Sequence, residues 1–337
     1  MLFRSNAGAS VTVPAATGTY GVDRFACWTA QASKLTVQQN AGSVTPPAGF
    51  SKYLGFTTAS AYTAGAGDYY LTVQKIEGFN MSDLAWGTAS AKTVTVSFWV
   101  RSSLTGTFAG AIENGSTNRS YVFTYSISSS NTWEYKTITI PGDTSGTWPT
   151  DNTEFGELKW DLGAGSNYQT SSGAWTSGDY FTTSGTVKVV ANAAATWYIT
   201  GVQLEVGSQA TPFDWRPYGT ELNLCRRYYY QLDSSTSPYS IMGVTGGSHE
   251  IYTFWHSVPM RVSPTANFDS GTLSEYYFTS AGGGQLVRSV TKGITTIDFN
   301  TSINGGRFFI AKIGQSGLGS WADIGGSNTV FTMIAEL

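Results

Sequence analysis

Few side chains in this sequence could carry out acid–base or metal chemistry. Two histidines, His249 and His256, flank a predicted strand, and no HxH or HExxH spacing joins them in a metal site. Two cysteines, Cys27 and Cys225, are too few for a disulfide framework or a four-cysteine zinc site. We interpret the histidines as structural or surface residues. We interpret the cysteines as two separate buried thiols, with a disulfide between them as the alternative.

The loop from Pro141 to Glu157 concentrates side-chain oxygens that could hold a calcium ion or form a glycosidase acid–base pair. These oxygens belong to Asp143, Asp151, Asn152, Glu154 and Glu157. Their spacing matches no calcium-loop motif, and nothing in the sequence indicates that two carboxylates converge across a cleft. The chain also has no GxGxxG turn, phosphate-binding loop or GxSxG elbow. We therefore expect a solvated acidic loop, no metal, no cofactor and no enzymatic activity.

Aromatic side chains in polar loops are the more suggestive functional feature. Four rings lie in glycine-rich, polar surroundings where a core position is not forced: Trp148, Tyr168, Trp175 and Tyr180. An exposed flat ring can stack on the C–H face of a sugar, while Ser, Thr and Asn side chains supply polar contacts. The alternative is that the rings close the ends of a β-sandwich or lie in a subunit contact, where aromatic residues are enriched. These four residues are our candidate glycan-binding residues.

The elements that must position these residues are β-strands. Alternating residue character predicts strands at 94–100, 121–127, 198–206, 69–73 and 23–30. Clusters of Gly, Ser, Asn, Thr and Pro separate them, and these residues favour turns. Short strands at such spacing, without intervening helices, predict an antiparallel β-sandwich.

The predicted strand at 198–206 contains a glycine in its interior. We expect Tyr198, Val202, Leu204 and Val206 to share one face of this strand. We expect Gly201 to form a β-bulge, because an isolated glycine within a strand is typical of one.

One segment, TELNLCRRYYYQL at 220–232, predicts a helix because it holds good helix formers and neither glycine nor proline. Thr220 can cap its start. Leu222, Cys225 and Tyr229 follow one another at i, i+3 and i+7, so they form one face of that helix.

The proline-bounded segment PFDWRP at 212–217 ends the last strand before the helix, and it marks a domain boundary. The chain is therefore predicted to be all-β apart from the helix. Its parts are a β-sandwich at 1–218, a connecting helix at 219–232 and a small C-terminal β-sandwich at 233–337.

The composition excludes several classes of partner. Charged residues make up 12% of the 337 residues, about half of the usual share, and the formal net charge is −3. An electrostatic grip on nucleic acid needs a basic face, so nucleic acid is excluded as a partner. The apolar stretches are shorter than the roughly 18 residues that a membrane span needs, so we expect no membrane insertion. Aromatic residues reach 14%, which is the reverse of a disordered composition.

Long strings of this sequence resemble a family of virion proteins. The shorter strings are TYGVDRFACW (19–28), FWVRSSLTGTFAGAI (98–112), NGSTNRSYVFTY (114–125), TWEYKTITIPGDTSGTW (132–148) and KWDLGAGSNY (159–168). The longest is WYITGVQLEVGSQATPFDWRPYGTELNLCRRYYY (197–230), and VPMRVSP (258–264) follows it. Together they resemble the fibre and other virion proteins of tailed bacteriophages and prophages, over residues from about 3 to 265. These proteins have a jelly-roll domain like that of carbohydrate-binding modules.

The resemblance implies a jelly-roll sandwich, a connecting helix and a terminal β domain, usually in a homotrimer and without catalytic activity. Three copies of the helix face formed by Leu222, Cys225 and Tyr229 would bury it around an axis, so the resemblance predicts an oligomer contact at this face. The implied protein is a structural component of the virion, a tail-fibre or receptor-binding protein that contacts host surface polysaccharide or lipopolysaccharide. The alternative is a head fibre or capsid decoration protein on the phage shell.

The sequence departs from the family in two respects. The family's opening strand and turn are shortened here to Met1–Gly8, MLFRSNAG. We also expect no upstream domain of the kind that anchors a long fibre to the tail. We therefore expect that the jelly roll docks onto other virion proteins or that another protein carries the chain, and this favours the capsid alternative.

Overall fold

A computed structural model describes residues 8–233 and, beyond them, 239–246, 249–255, 258–263, 265–270, 272–278, 285–291, 297–302, 305–311, 320–324 and 330–334. The chain forms two compact units, of which the first ends at Arg216 and the second begins at Pro217.

The described part of the first unit has thirteen strands. In chain order they are β1 (Val11–Thr12), β2 (Thr19–Val22), β3 (Phe25–Thr29), β4 (Leu35–Gln39), β5 (Leu54–Thr58), β6 (Tyr70–Glu77), β7 (Val94–Ser102), β8 (Gly106–Asn114), β9 (Arg119–Ile127), β10 (Glu134–Ile140), β11 (Glu154–Asp161), β12 (Trp175–Ser177) and β13 (Thr196–Val206). Short 3-10 turns lie at Ala41–Ser43, Gly78–Asn80, Ser82–Leu84, Ser166–Tyr168 and Val189–Ala191.

These strands form two antiparallel sheets. The six-stranded sheet has the order β1-β4-β5-β13-β7-β10, and the seven-stranded sheet has the order β12-β9-β8-β11-β6-β3-β2. From β5 to β8 the chain changes sheet at every strand, and it does so again from β9 to β11. Alternation of this kind is typical of a jelly-roll sandwich. The predicted all-β sandwich class is confirmed.

The core lies between the inner faces of the two sheets. The predicted strand at 94–100 lies within β7, where Val94, Val96, Phe98 and Val100 are fully buried. Phe98 meets Trp160 of the opposite sheet edge to face, with 5.7 Å between ring centroids. Because side chains alternate between faces, the other residues of β7 are directed to the outer face of the six-stranded sheet.

A β-bulge changes the direction of the side chains along β13. The register against β7 shifts around Gly201, whose φ is +60°, so the predicted bulge is confirmed. The extra residue reverses the alternation: Ile199 faces the core before the bulge, and Val202 and Leu204 pack against it after the bulge. Tyr198 therefore lies in a separate cluster of buried residues. The prediction that Tyr198 shares a face with Val202 is wrong.

The second unit begins with the helix α1 (Tyr218–Arg226) and continues in strands. The strands are β14 (Tyr229–Asp233), β15 (Tyr239–Gly246), β16 (His249–Trp255), β17 (Thr265–Ser270), β18 (Thr272–Phe278), β19 (Gln285–Thr291), β20 (Ile297–Ser302), β21 (Gly305–Ala311), β22 (Ser320–Ile324) and β23 (Val330–Ile334). Their antiparallel sheets have the orders β14-β23-β17 and β19-β18-β22-β15-β16-β21-β20.

The helix starts earlier and ends sooner than predicted. Pro217, not Thr220, precedes its first residue, and the Pro217 carbonyl accepts hydrogen bonds from the backbone N–H groups of Thr220 and Glu221. After the helix, Tyr229 begins β14 and pairs with Ile334. Consecutive tyrosines favour a strand, and the pairing of β14 with the distant β23 stabilises a strand here in place of the helix. The prediction that Leu222, Cys225 and Tyr229 form one helix face is therefore wrong for Tyr229.

Within the described residues, no helix has both the length and the apolar character needed to cross a membrane.

Candidate functional site

An open groove of about 460 Å³ lies on the first unit, along the outer face of the six-stranded sheet. Five aromatic rings line it: Phe50, Trp99, Tyr135, Phe213 and Trp215. The other lining residues are small or bear hydroxyl groups: Ala48, Gly49, Ser97, Gly201, Ala210, Thr211 and Pro212. Its volume lies within the roughly 300–1,000 Å³ of typical small-ligand sites.

One wall of the groove is a cross-strand aromatic pair. Trp99 of β7 and Tyr135 of β10 lie directly opposite each other, with 5.3 Å between ring centroids and 46° between ring planes. Such pairs stabilise a sheet through direct side-chain contact. Tyr135 is 43% exposed, so its ring is open to solvent although it sits on a regular strand.

The other wall is a cluster of three rings. Phe50 lies 5.1 Å from Phe213 and 4.8 Å from Trp215, and the last two rings are 4.8 Å apart, all measured between centroids. Trp215 is 59% exposed. Large exposed rings on a monomer surface are typical of interaction sites. The two ring walls together offer flat apolar faces to a ligand in the groove.

Hydrogen bonds fix the segment after β13 that carries Phe213 and Trp215. The bonds run from Thr95 Oγ1 to the Gly207 carbonyl (2.8 Å), from Thr139 Oγ1 to the Ser208 carbonyl (3.1 Å), from the Thr211 N–H to the Glu205 carboxylate (3.0 Å) and from the Asp214 N–H to the Gln203 side-chain oxygen (2.8 Å). A wall fixed in this way needs little ordering when a ligand binds.

The groove contains little charge. Among the described residues that line it, none is acidic or basic. The carboxylate of Glu205 accepts a hydrogen bond from the N–H of Thr211, which is itself a lining residue. A ligand here therefore meets rings, hydroxyl groups and backbone groups, with the Glu205 carboxylate next to Thr211.

Trp148 is not an exposed ring. It is 7% exposed, its centroid lies 4.7 Å from that of Trp86, and its Nε1 donates to Asp143 (3.3 Å). Asp143 is held in turn by Arg119, whose Nε and Nη2 atoms donate to it at 2.9 Å and 2.6 Å. The ion pair and the surrounding rings draw Trp148 into the core. The prediction that it is a surface platform for sugars is wrong.

Trp175 belongs to the same aromatic group as Trp148. It is half-buried on β12, its ring lies 5.3 Å from Trp86 and 5.5 Å from Trp148, and its Nε1 donates to the Pro141 carbonyl (2.8 Å). These contacts are the end-closing arrangement that the sequence left open as the alternative. The structure places Trp175 on the seven-stranded sheet, away from the groove.

Tyr168 and Tyr180 are half-buried against the outer face of the seven-stranded sheet. Both pack on a cluster that includes Phe181, and Tyr168 also meets Tyr69 edge to face at 6.0 Å. Burial raises the pKa of Tyr168. These two rings share a surface with each other but not with the groove. The structure thus does not bring the four predicted residues into one site, and glycan contact at Tyr168 and Tyr180 stays a prediction.

Three of the acidic residues at 143–157 are not solvated, whereas Asp151 is exposed. Asp143 is buried in its pair with Arg119, and Glu154 and Glu157 lie on β11, where Lys75 contacts them at 2.7 Å and 3.4 Å. Within the described residues, no cluster of His, Cys, Asp and Glu has the arrangement of a metal site. The expectation of solvated carboxylates is wrong for these three residues because each has a cationic partner.

A buried ion cluster continues from Glu157 across the seven-stranded sheet. Lys159 contacts Glu113, Glu157 (2.9 Å) and Asp179 (3.5 Å). Burial raises the pKa of Glu113 to about 8, although Lys159 acts in the opposite direction. The nearby Ser120 accepts a hydrogen bond at Oγ from the Tyr180 N–H (3.0 Å), so the cluster lies beneath the loop that carries Tyr180.

Both cysteines are free and buried. Cys27 lies in the sandwich core, and burial raises the pKa of its thiol. Of the histidines, His249 begins β16, and His256 lies outside the described residues.

No protein-family model and no curated protein matches the chain. Among solved structures, it is similar to the enzymatically active domain of tailspike protein 4 of bacteriophage CBA120, at 13% identity and a TM-score of 0.30. The match covers 60% of this chain, which spans about a fifth of that protein (20%). It is also similar to a family 11 carbohydrate-binding module of Clostridium thermocellum, at 12% identity and a TM-score of 0.29, over 60% of this chain and 98% of that one. The strand order of the two sheets is typical of a jelly-roll sandwich.

None of the rings that line the groove was predicted from the sequence as a binding residue, although one signal for them was present. Trp99 shares the outward face of β7 with Thr95 and Ser97, and a single large ring on a hydroxyl-bearing strand face has no core to fill. Phe50 and Trp215 come from loops, and their approach depends on the tertiary fold.

Proposed function

We propose that this protein is a non-enzymatic virion component of a tailed phage, a tail-fibre or receptor-binding protein that contacts host surface glycans through the groove. The observation that carries the glycan part is the exposure of Tyr135 and Trp215 on two preformed ring walls around an uncharged floor. The virion part rests on the resemblance of the sequence strings between residues 19 and 264 to phage fibre proteins.

The groove would bind sugars by stacking. The C–H faces of a pyranose pack on aromatic rings, and the sugar hydroxyl groups exchange hydrogen bonds with Thr211 and with backbone groups. A single contact of this kind is weak. In a homotrimer three grooves act together, and their effective concentration raises the avidity for a repeating surface polysaccharide.

A glycan array of host polysaccharides and lipopolysaccharides tests the binding role. We expect the purified protein to bind at least one host glycan and Trp215→Ala to bind it about tenfold more weakly, since a central aromatic contact dominates many interfaces. Phe79→Ala is the matched control, because Phe79 is equally exposed (58%) and does not line the groove. Failure to bind any host glycan, with host adsorption unchanged when the protein is removed, would contradict the proposal.

Two further measurements test the other parts of the proposal. In a reconstruction of the virion, the chain should occupy the tail, whereas density on the capsid would contradict the tail-fibre role and favour the decoration role. Incubation with the bound polysaccharide should release no reducing sugar, and turnover would contradict the non-enzymatic role.

A further inference from the structure

We infer that the groove selects uncharged saccharides and discriminates against uronic acids and other anionic sugars. This inference rests on the proposed glycan-binding function and deepens it. Neutral and acidic polysaccharides differ in the hydrogen-bonding and charge requirements of their sites, and the groove meets only those of the neutral class.

Among the described residues that line the groove, none offers a cation to a carboxylate. Arg101, on the same strand face as Trp99, lies over the Tyr198 ring at 5.4 Å and donates to the Asn131 carbonyl (2.9 Å). Binding sites for carboxylates commonly use an arginine in a bidentate pair.

Two further cations lie next to the groove rings in sequence. One is directed away from the groove, and the other lies near a carboxylate. Lys136 follows Tyr135 on β10, so its side chain points to the opposite face, where it contacts Glu134 at 2.7 Å. Arg216 lies 3.9 Å from Asp214, with both side chains largely in solvent. Lys52, two residues after Phe50, does not line the groove.

A carboxylate is hydrogen-bonded to one lining residue of the groove. Glu205 accepts hydrogen bonds from the Thr211 N–H and from the Gln203 side chain, and it is thereby fixed beside Thr211. An anionic sugar in the groove would lose water from its carboxylate and face this like charge, which opposes binding.

A neutral sugar suits the same groups. Its hydroxyl groups both donate and accept, as do the hydroxyls of Thr211 and Tyr135, so either partner can take either role. A carboxylate only accepts, and it would leave acceptor groups of the wall without a donor. The groove thus fits an uncharged ring stacked between the Trp99 and Trp215 walls.

Paired oligosaccharides that differ only at C6 provide the test. Gluco-, galacto- and manno-configured oligomers and their uronate counterparts are titrated against the full chain by calorimetry and tryptophan fluorescence. We expect at least one neutral oligomer to bind and its uronate to bind about tenfold more weakly or not at all, a difference that corresponds to about 1.4 kcal/mol. In Glu205→Gln the preference for the neutral oligomer should fall.

The outcomes separate the inference from the proposed function. Equal or tighter binding of the uronates at the groove, lost in Trp215→Ala, overturns the inference and leaves the glycan-binding function intact. Failure of every oligosaccharide and of every host polysaccharide to bind overturns both. A change in the sedimenting mass of Trp215→Ala, with the Phe79→Ala control unchanged, would make the groove a subunit contact and also overturn the inference.

Discussion

Gly201 lies against the ring of Phe50, and a Cβ atom added to Gly201 would stand 2.6 Å from Phe50 Cζ. The glycine also has a φ of +60°, which β-carbon-bearing residues adopt at a cost. Gly201→Ala should therefore both strain the β13 bulge and displace Phe50 from the ring wall. We expect it to lower the free energy of unfolding by about 2–4 kcal/mol, from strain plus overpacking, and to weaken glycan binding.

Chemical denaturation and glycan titration check this prediction, with Gly185→Ala as the matched control. Gly185 has a similar φ of +80°, but an added Cβ would meet nothing within 4 Å. The control should show only the cost of the backbone conformation, about 1 kcal/mol, and unchanged binding. Equal effects of the two substitutions would mean that Phe50 does not depend on the bulge.

The ion pair between Arg119 and Asp143 should make a large contribution to the free energy of unfolding. Asp143 is almost wholly buried, and Arg119→Ala would leave its carboxylate without its cationic partner. We expect a loss of about 3–5 kcal/mol in the free energy of unfolding, measured with urea. The double variant with Asp143→Asn should be more stable than Arg119→Ala alone, because it removes the unpaired charge. A loss below about 1 kcal/mol in the single variant would contradict this.

Residue alternation was sufficient to predict the strands and the sandwich because it reflects local geometry. Short windows of sequence were enough to predict which side chains of β7 face the core and that Gly201 forms a bulge. The burial of Trp148 could not be predicted in this way, because it depends on Asp143 and on Arg119. Arg119 contacts Asp143 from β9, which lies earlier in the chain. Tyr229 was predicted to be helical from its local residue pattern, and its strand could not be predicted because its pairing partner, Ile334, lies far along the chain.

The candidate site shows the same limit. Trp99 alone could be recognised from its strand, as the large ring on a hydroxyl-bearing face. The groove needs rings from three separate places: the loop at Phe50, the β7–β10 pair, and the segment at Trp215. Glycine- and serine-rich surroundings predicted exposed rings at loop aromatics such as Trp175, which in the tertiary fold closes the sandwich.

Glu113 should make the protein less stable as the solution becomes alkaline. Burial raises its pKa in the folded protein from the ordinary 4.5 to about 8. The stability that its protonated form contributes is therefore fully present below about 4.5 and is lost as the pH rises through about 8. Glu113→Gln should flatten the decline of Tm between pH 5 and pH 9, with each kcal/mol worth about 2–4 °C. Lys159 keeps Glu157 and Asp179 as partners in this variant.

Glu134→Gln is the control of opposite sign. Burial acts to raise the pKa of Glu134, but hydrogen bonds from Lys136 and the Ser128 and Ser129 N–H groups lower it to about 2. Its contribution to stability is present above about 4.5 and is lost as the pH falls toward 2. This variant should therefore change Tm only on the acid side. A Glu113→Gln profile that parallels the parent profile from pH 5 to pH 9 would contradict the role of Glu113.

The helix contact in the predicted trimer can be tested at Leu222. With Tyr229 on β14, the predicted face retains Leu222, which is half-buried, and Cys225, which is 7% exposed. Glutamate at Leu222 would place a charge in an apolar contact, so Leu222→Glu should sediment as a monomer where the parent sediments as a trimer. Asn223→Glu is the control, because Asn223 is exposed and adds the same charge one residue further on. Circular dichroism should show that both variants keep the β-rich fold of the parent. A monomeric parent would contradict the trimer, and a trimeric Leu222→Glu would place the subunit contact elsewhere on the chain.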